Sequence, residues 1–226
     1  TFLVGTFQPS TRFSWDWGLR VDSVFIDAQK YYNLTNWKES GYSVFYPEFE
    51  RQIMGTQLLT NPRFRFFNWA AQTGIGVSLG SDIDSRFAYV LSQRAPNSSE
   101  LFSDGLHHSI AALEYGNLIL RNETSHKILM SISRRTKNFS LSLEPYFLKV
   151  FDYIFIEPTA LEQTIRGAFP VWRYRSTDAF FAGLDFNSNL TISKYLNIDM
   201  GASYTYAQDQ LNQNPLILIP PFSMFQ

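Results

Sequence analysis

Phe13-Ser-Trp-Asp-Trp-Gly-Leu-Arg-Val-Asp22 alternates without a break: Phe13, Trp15, Trp17, Leu19 and Val21 are apolar, while Ser14, Asp16, Gly18, Arg20 and Asp22 between them are polar or small. Successive side chains of a strand point to opposite faces, so this stretch reads as a β-strand with one greasy and one wet side. The division returns at Phe67, Trp69, Ala71, Ile75 and Val77, and at Phe87, Tyr89 and Leu91. It continues through Ile128, Met130 and Ile132, and through Phe139, Leu141, Leu143, Pro145 and Phe147, which oppose Ser140, Ser142, Glu144 and Tyr146. Phe180, Ala182, Leu184 and Phe186 follow, then Leu196, Ile198, Met200, Ala202, Tyr204 and Tyr206. Helical spacing fits none of these segments, and about nine strand segments are visible in all.

The links between them alternate in length. Short polar links lie at 9–11, 81–84, 135–138 and 192–195, and long ones at about 28–65, 95–123, 155–172 and 208–217. Tight turns at one rim and large loops at the other are the arrangement of transmembrane barrels, with the long loops extracellular. Many strands also exceed the roughly ten residues that a tilted strand needs to cross a bilayer. A soluble sandwich or lipocalin-like barrel alternates too, but it places charge on its outer face. Here the polar face is rich in Ser, Asn and Gly, as suits a wet lumen, and the apolar face carries aromatics toward strand ends, like interfacial girdles.

Composition agrees. Phe, Tyr and Trp make up 17% of the 226 residues, and charged residues also only 17%, against about a quarter in ordinary globular chains. A net charge of -1 with scattered Lys and Arg gives no electrostatic footprint for nucleic acid. The absence of cysteine excludes disulfides, thiolate metal sites and thiol nucleophiles within the chain. No run of about 18 apolar residues is present, so no membrane-crossing helix is expected. No nucleophile motif or Gly-rich phosphate loop stands out, and an enzyme is not expected. The chain opens and closes inside what read as strands, so a fragment of one larger barrel domain is expected over 1–226.

The segment from Ser92 to Glu123 carries a family resemblance. Arg94-Ala-Pro96, Glu100-Leu101, Glu114-Tyr-Gly116-Asn117 and Leu120-Arg-Asn-Glu123 resemble TonB-dependent receptors, where a strand ends in Arg-x-Pro-x-x-x-Glu-Leu, its loop in Glu-x-Gly-Asn, and the next strand opens with Leu-x-x-Glu. Phe151–Phe155, Thr164–Pro170, Tyr174, Thr177–Ala179 with Gly183, and Pro215–Pro221 look like the later strands of the same family. The Asp104-Gly-Leu-His-His108 wording looks most like receptors of the Bacteroidetes branch. The resemblance covers 66–226 and is weak before that. It implies an antiparallel transmembrane β-barrel of about 22 strands closed around a plug, in the bacterial outer membrane. Its partners would be the TonB-ExbB-ExbD complex, reached through a plug outside this chain, the lipid, and a small nutrient such as a siderophore, metal ion or haem. The alternatives are a barrel receptor for glycans or peptides working with a surface lipoprotein, and a structural barrel in a secretion assembly. No cofactor is expected, since metal or haem enters only as transported ligand.

Candidate ligand-binding residues lie in the long loops. His107 and His108 sit side by side near Glu100 and Asp104, and imidazole with carboxylate suits zinc, iron or haem iron; the same loop is similar to that of zinc and haem uptake receptors. Adjacent residues of extended chain point opposite ways, so both reach one ion only from an irregular loop, and the alternative is hydrogen bonding within the loop. His126, at the start of a descending strand, suits a rim or lumen hydrogen bond. Tyr31, Tyr32, Trp37, Tyr42, Phe45, Tyr46 and Phe49 make the first long loop aromatic: either they grip a flat or sugar-like ligand by stacking, with Trp37 and Tyr42 foremost, or they pack the loop on itself. Arg94, Pro96, Glu100, Glu114, Gly116, Asn117 and Glu123 read most simply as a charged pair and an Asn-stabilised turn that fix a loop to the rim. Asp16, Arg20, Asp22, Arg86, Glu144, Asp185 and Asp199 face the lumen, where a plug is expected to meet them.

Overall fold

The computed structural model describes residues 1–107, 109, 111–165, 167–216 and 223–225. Its strands are β1 (Phe2–Ser10), β2 (Phe13–Asp27), β3 (Lys30–Asn33), β4 (Glu50–Met54), β5 (Gln57–Thr60), β6 (Arg63–Ser78), β7 (Ile83–Arg94), β8 (Asp104–His107), β9 (Ala112–Tyr115), β10 (Glu123–Arg135), β11 (Phe139–Thr164), β12 (Gly167–Ser193), β13 (Leu196–Asp209) and β14 (Ser223–Phe225). Three short helices, α1 (Leu34–Glu39), α2 (Tyr42–Phe45) and α3 (Ser98–Phe102), lie in the first two long links. The wall is an antiparallel meander in the order β1-β2-β6-β7-β10-β11-β12-β13-β14, the nine strand segments expected of a partial barrel.

Register explains why the faces stay separate. One row across seven strands runs Trp17, Thr73, Tyr89, Ile128, Phe147, Ala182, Tyr206; the next row runs Asp16, Gly74, Ala88, Leu129, Tyr146, Gly183, Thr205. Because the side-chain period is two, a one-residue slip in any pair would put polar groups in the apolar band. That band is left uncovered: Phe67 is 60% exposed and Tyr204 52%, an apolar surface far larger than a water-facing sheet carries. On the inner face, Gly183 makes room for an aromatic ring. A Cβ there would lie 2.3 Å from the Tyr146 ring, whose hydroxyl meets Thr205 Oγ1 at 2.9 Å. Pro145 sits mid-wall without an N–H, and opposite it the β10–β11 ladder skips from Leu129↔Tyr146 to Ile132↔Leu143, as a missing donor requires.

The inner charges find partners within the wall, two pairs in each other and three carboxylates in neutral side chains. Arg86 donates to Asp16 at 2.6 Å, Arg20 pairs with Asp22, Ser203 donates to Asp185 at 2.5 Å, Asn189 to Asp199 at 2.6 Å and Ser142 to Glu144 at 2.6 Å.

Three of the long links differ from simple loops. The stretch expected as a loop over 155–172 is a β-hairpin: β11 and β12 are 26 and 27 residues long and stay paired up to Thr164↔Gly167. Pro158 and Pro170 read as loop signals, yet Pro158 lies at a register shift between Pro158 and Ala160, where a strand accommodates proline. The link over 28–65 is a small folded unit, with a three-stranded sheet β3-β5-β4 and the helices α1 and α2. The link over 95–123 contains α3 and the β8–β9 pair, and β9 adds in parallel to β12 at Val171, Trp172 and Arg173.

Candidate functional site

The two long links pack together into one dome over the rim. Its core joins Tyr32, Trp37, Tyr42, Phe49 and Leu58 of the first with Leu101, Leu118 and Leu120 of the second, and with Ile154 of the tall hairpin. Ile26, Phe64 and Phe66 support it from the inner-face register positions of β2 and β6. Local signals place the helices: Asn33 caps α1 by accepting from Thr35 N at 2.9 Å and Asn36 N at 3.2 Å, and Asn97 forms a capping box with Glu100. Between the links, the Tyr46 hydroxyl donates to Leu118 O at 2.9 Å, and Asn122 Nδ2 ties the second link to the wall by reaching Asn68 Oδ1 of β6 at 2.8 Å.

Aromatic residues of the first link build this core. Trp37 is 0% exposed, with its indole N–H on Glu50 Oε1 at 2.8 Å, and it packs edge-on against Tyr42 at 5.3 Å between ring centroids. Of the two readings of this aromatic link, packing on itself describes most of the surface of Trp37 and Tyr42: both are buried, and the Tyr42 hydroxyl accepts Leu118 N at 3.3 Å, while both also reach the wall of a polar cavity in the dome.

The motif residues knot the second link to the barrel. Arg94 donates to Glu100 at 2.9 Å and to Glu123 at 2.6 Å, and Glu123 also accepts Ile154 N at 2.6 Å. Pro96 is fully buried. Gly116 N donates to Ser103 O at 2.7 Å and Asn117 N to Glu100 O at 2.8 Å, while the Asn117 side chain accepts Ile119 N at 3.0 Å. A Cβ on Gly116 would stand 2.5 Å from the Leu101 backbone, so glycine is required where the two segments cross. Glu114 lies in β9 opposite Trp172.

Of the expected metal-ligating set, the described members Glu100, Asp104 and His107 each have another partner. Glu100 is buried and spent on Arg94 and the capping box, and Asp104 pairs with Lys30 at 3.5 Å, so neither is free to join an imidazole. His107 is exposed, its Nδ1 near Ser109 Oγ at 3.1 Å, and His108 lies outside the described residues. Among the described residues no group of three His, Asp or Glu side chains could hold a metal. His126 meets the Tyr89 hydroxyl at 2.7 Å and the Phe151 ring edge-on, in line with Leu91 and Lys149 on the outer register, not toward the lumen.

What the dome does contain is a polar cavity of about 330 Å³. Tyr32, Glu39, Asp104, Tyr115, Glu162 and Arg173 line it, from four separate segments of the chain. Arg173 lies over the Tyr115 ring at 4.7 Å, and the Tyr115 hydroxyl donates to Glu162 at 3.4 Å. The Tyr32 hydroxyl is buried with no hydrogen-bond partner among the described residues. Burial, then the nearness of Tyr42 and Asp104, holds it well above the ordinary tyrosine range. Burial also pulls the Lys30 ammonium below the usual lysine value, against the opposing pull of Asp104. Asp104 and the first-link tyrosines were visible as candidates in the sequence; Glu39, Glu162 and Arg173 were not, because only the fold brings them together.

With a two-faced wall, short turns at one rim and a folded dome at the other, the architecture can be compared with known proteins. No family model and no curated protein matches the sequence. Solved structures match in fold. The copper transporter OprC superposes with a TM-score of 0.74 at 14% identity, over 98% of this chain and 30% of its own. The fold is that of part of an antiparallel β-barrel like the one in this transporter. The Serratia marcescens hemophore receptor HasR, solved as a double mutant with its hemophore HasA and heme, follows with a TM-score of 0.55 at 17% identity, over 92% of this chain and 33% of its own. The siderophore receptor PirA from Acinetobacter baumannii matches with a TM-score of 0.52 at 16% identity, over 99% of this chain and 38% of its own. The chain thus spans about a third of the length of the structures it matches.

Proposed function

We propose that the chain is wall and outer loops of a TonB-dependent receptor in the bacterial outer membrane, which takes up a scarce nutrient such as a metal chelate, a metal ion or haem. The observation that carries this reading is the asymmetry of the wall. Its outer face is an apolar band that suits hydrocarbon, its inner face is lined by small polar groups and by charges held in ion pairs or hydrogen bonds, and among the described residues only one rim bears folded loops able to capture a ligand. In this reading the dome faces outside the cell, and a plug outside this chain moves under the pull of TonB-ExbB-ExbD. It is a transporter and not an enzyme. A second reading, a receptor for glycans or peptides working with a surface lipoprotein, is favoured by one feature: the dome cavity is lined by charges of both signs and tyrosines.

The test is deletion of the whole gene, with the protein located by fractionation and uptake of radiolabelled iron chelates, free metal and haem measured with and without functional TonB. The expected result is an outer-membrane protein whose loss abolishes one TonB-dependent uptake. A protein in the soluble fraction, or TonB-independent uptake, would contradict the proposal.

A further inference from the structure

We propose that the dome cavity binds a small zwitterion, a ligand carrying a free ammonium and a free carboxylate such as a short peptide. The inference deepens the receptor reading above and rests on it only in placing this face outside the cell. Two observations support it.

The first is size. At about 330 Å³ the cavity lies at the small end of the range for ligand pockets, roughly 300–1,000 Å³, which suits a molecule of a few residues and not a bulky chelate or a macrocycle. The second is charge. Arg173 makes no ion pair with any described residue and instead rests on the Tyr115 ring, with its guanidinium fork open to accept a carboxylate in two hydrogen bonds. Glu39 makes no ion pair either, and Glu162 takes only the long bond from Tyr115. Charges of both signs thus line one cavity without neutralising each other, which a zwitterion does and a ligand of one sign does not.

The experiment is calorimetric titration of the full-length receptor in detergent with L-alanyl-L-alanine and, separately, with N-acetyl-L-alanyl-L-alanine amide, which has the same core and neither charge. The expected result is saturable binding of the free dipeptide and at least tenfold weaker binding of the capped one. Arg173→Ala and Glu162→Gln each weaken the free dipeptide by about tenfold, the factor for one lost charge-assisted hydrogen bond. Equal binding of free and capped dipeptide, or no binding of the free one at millimolar concentration, overturns the proposal. A receptor that stays in the outer membrane and keeps its TonB-dependent uptake while failing to bind the dipeptide overturns only this inference; one found in the soluble fraction overturns the receptor reading instead.

Discussion

The wall and the dome use the same kind of residue for opposite ends. In the wall, Phe67 and Tyr204 stand out from the sheet with more than half their surface uncovered; in the dome, Trp37, Tyr42 and Phe49 are sealed against one another. The wall's aromatics lie on register rows that continue from strand to strand, so no second layer covers them. The dome's aromatics belong to short helices and strands that wrap a core of their own, with its polar groups turned to water or paired across the two links. Aromatic content therefore says nothing by itself about the solvent; its periodicity does. A period of two held over seven strands implies one non-aqueous side, whereas an irregular aromatic cluster implies an ordinary water-excluding core.

The two regions should respond differently to substitution. Trp37→Ala should cost about 3–5 kcal/mol, the range for a buried aromatic cut to alanine, and the loss should be confined to the dome; amide exchange on the intact receptor should rise over 30–60 and stay unchanged in β10 and β13. Met130→Arg, on the uncovered face in the middle of β10, should cost about 2–4 kcal/mol in a bilayer, while Ser131→Arg, one residue along and facing the lumen, should cost close to nothing. Comparable penalties at 130 and 131, read from denaturant midpoints in liposomes, would mean that the two faces meet the same medium. Arg94→Ala should cost about 2 kcal/mol: it strands the nearly buried Glu100 and Glu123 carboxylates, but Arg94 itself is half exposed, which keeps the loss below that of a fully buried pair. Exchange at Leu101, Asn117 and Ile154 should report it.

The smallest effect concerns pH. Burial raises the hydroxyls of Tyr32, Tyr42 and Tyr46, so the folded dome favours their neutral form. That stability is complete below the unfolded tyrosine value and is lost as pH rises through the higher folded values. Lys30, lowered by burial, has the opposite sign, because its penalty is relieved as pH rises. The three tyrosines therefore leave the dome unchanged up to about pH 10, their ordinary value, and weaken it as pH rises further, seen as faster protease cleavage of its loops above that pH than below it.

The wall was legible in the sequence because strand alternation is a local property, carried by ten residues at a time from Phe13 onward. The Arg94-to-Glu123 run was legible for a related reason: Arg94, Glu100 and Glu123 meet at one rim position, and Gly116 is demanded by a backbone crossing. The dome was not. Its core depends on contacts such as Tyr46 with Leu118, 72 residues apart, and nothing in either segment announces the other. Histidines beside carboxylates suggested a metal site at 100–108, but Glu100 had a stronger claim on it in Arg94. The hairpin over 155–172 was not legible because it depends on β11 and β12 staying paired to Thr164↔Gly167, a property of the two strands together that neither shows alone.

The most direct test of a wall with one lipid side and one lumen side uses the absence of cysteine from this chain. Single cysteines placed in turn from 128 to 133 in the full-length receptor can carry spin labels, and collision with oxygen or with a water-soluble nickel chelate can be measured in membranes. Oxygen contact should peak at 128, 130 and 132 and chelate contact at 129, 131 and 133. Uniform access to the chelate along the strand would contradict a membrane-spanning wall.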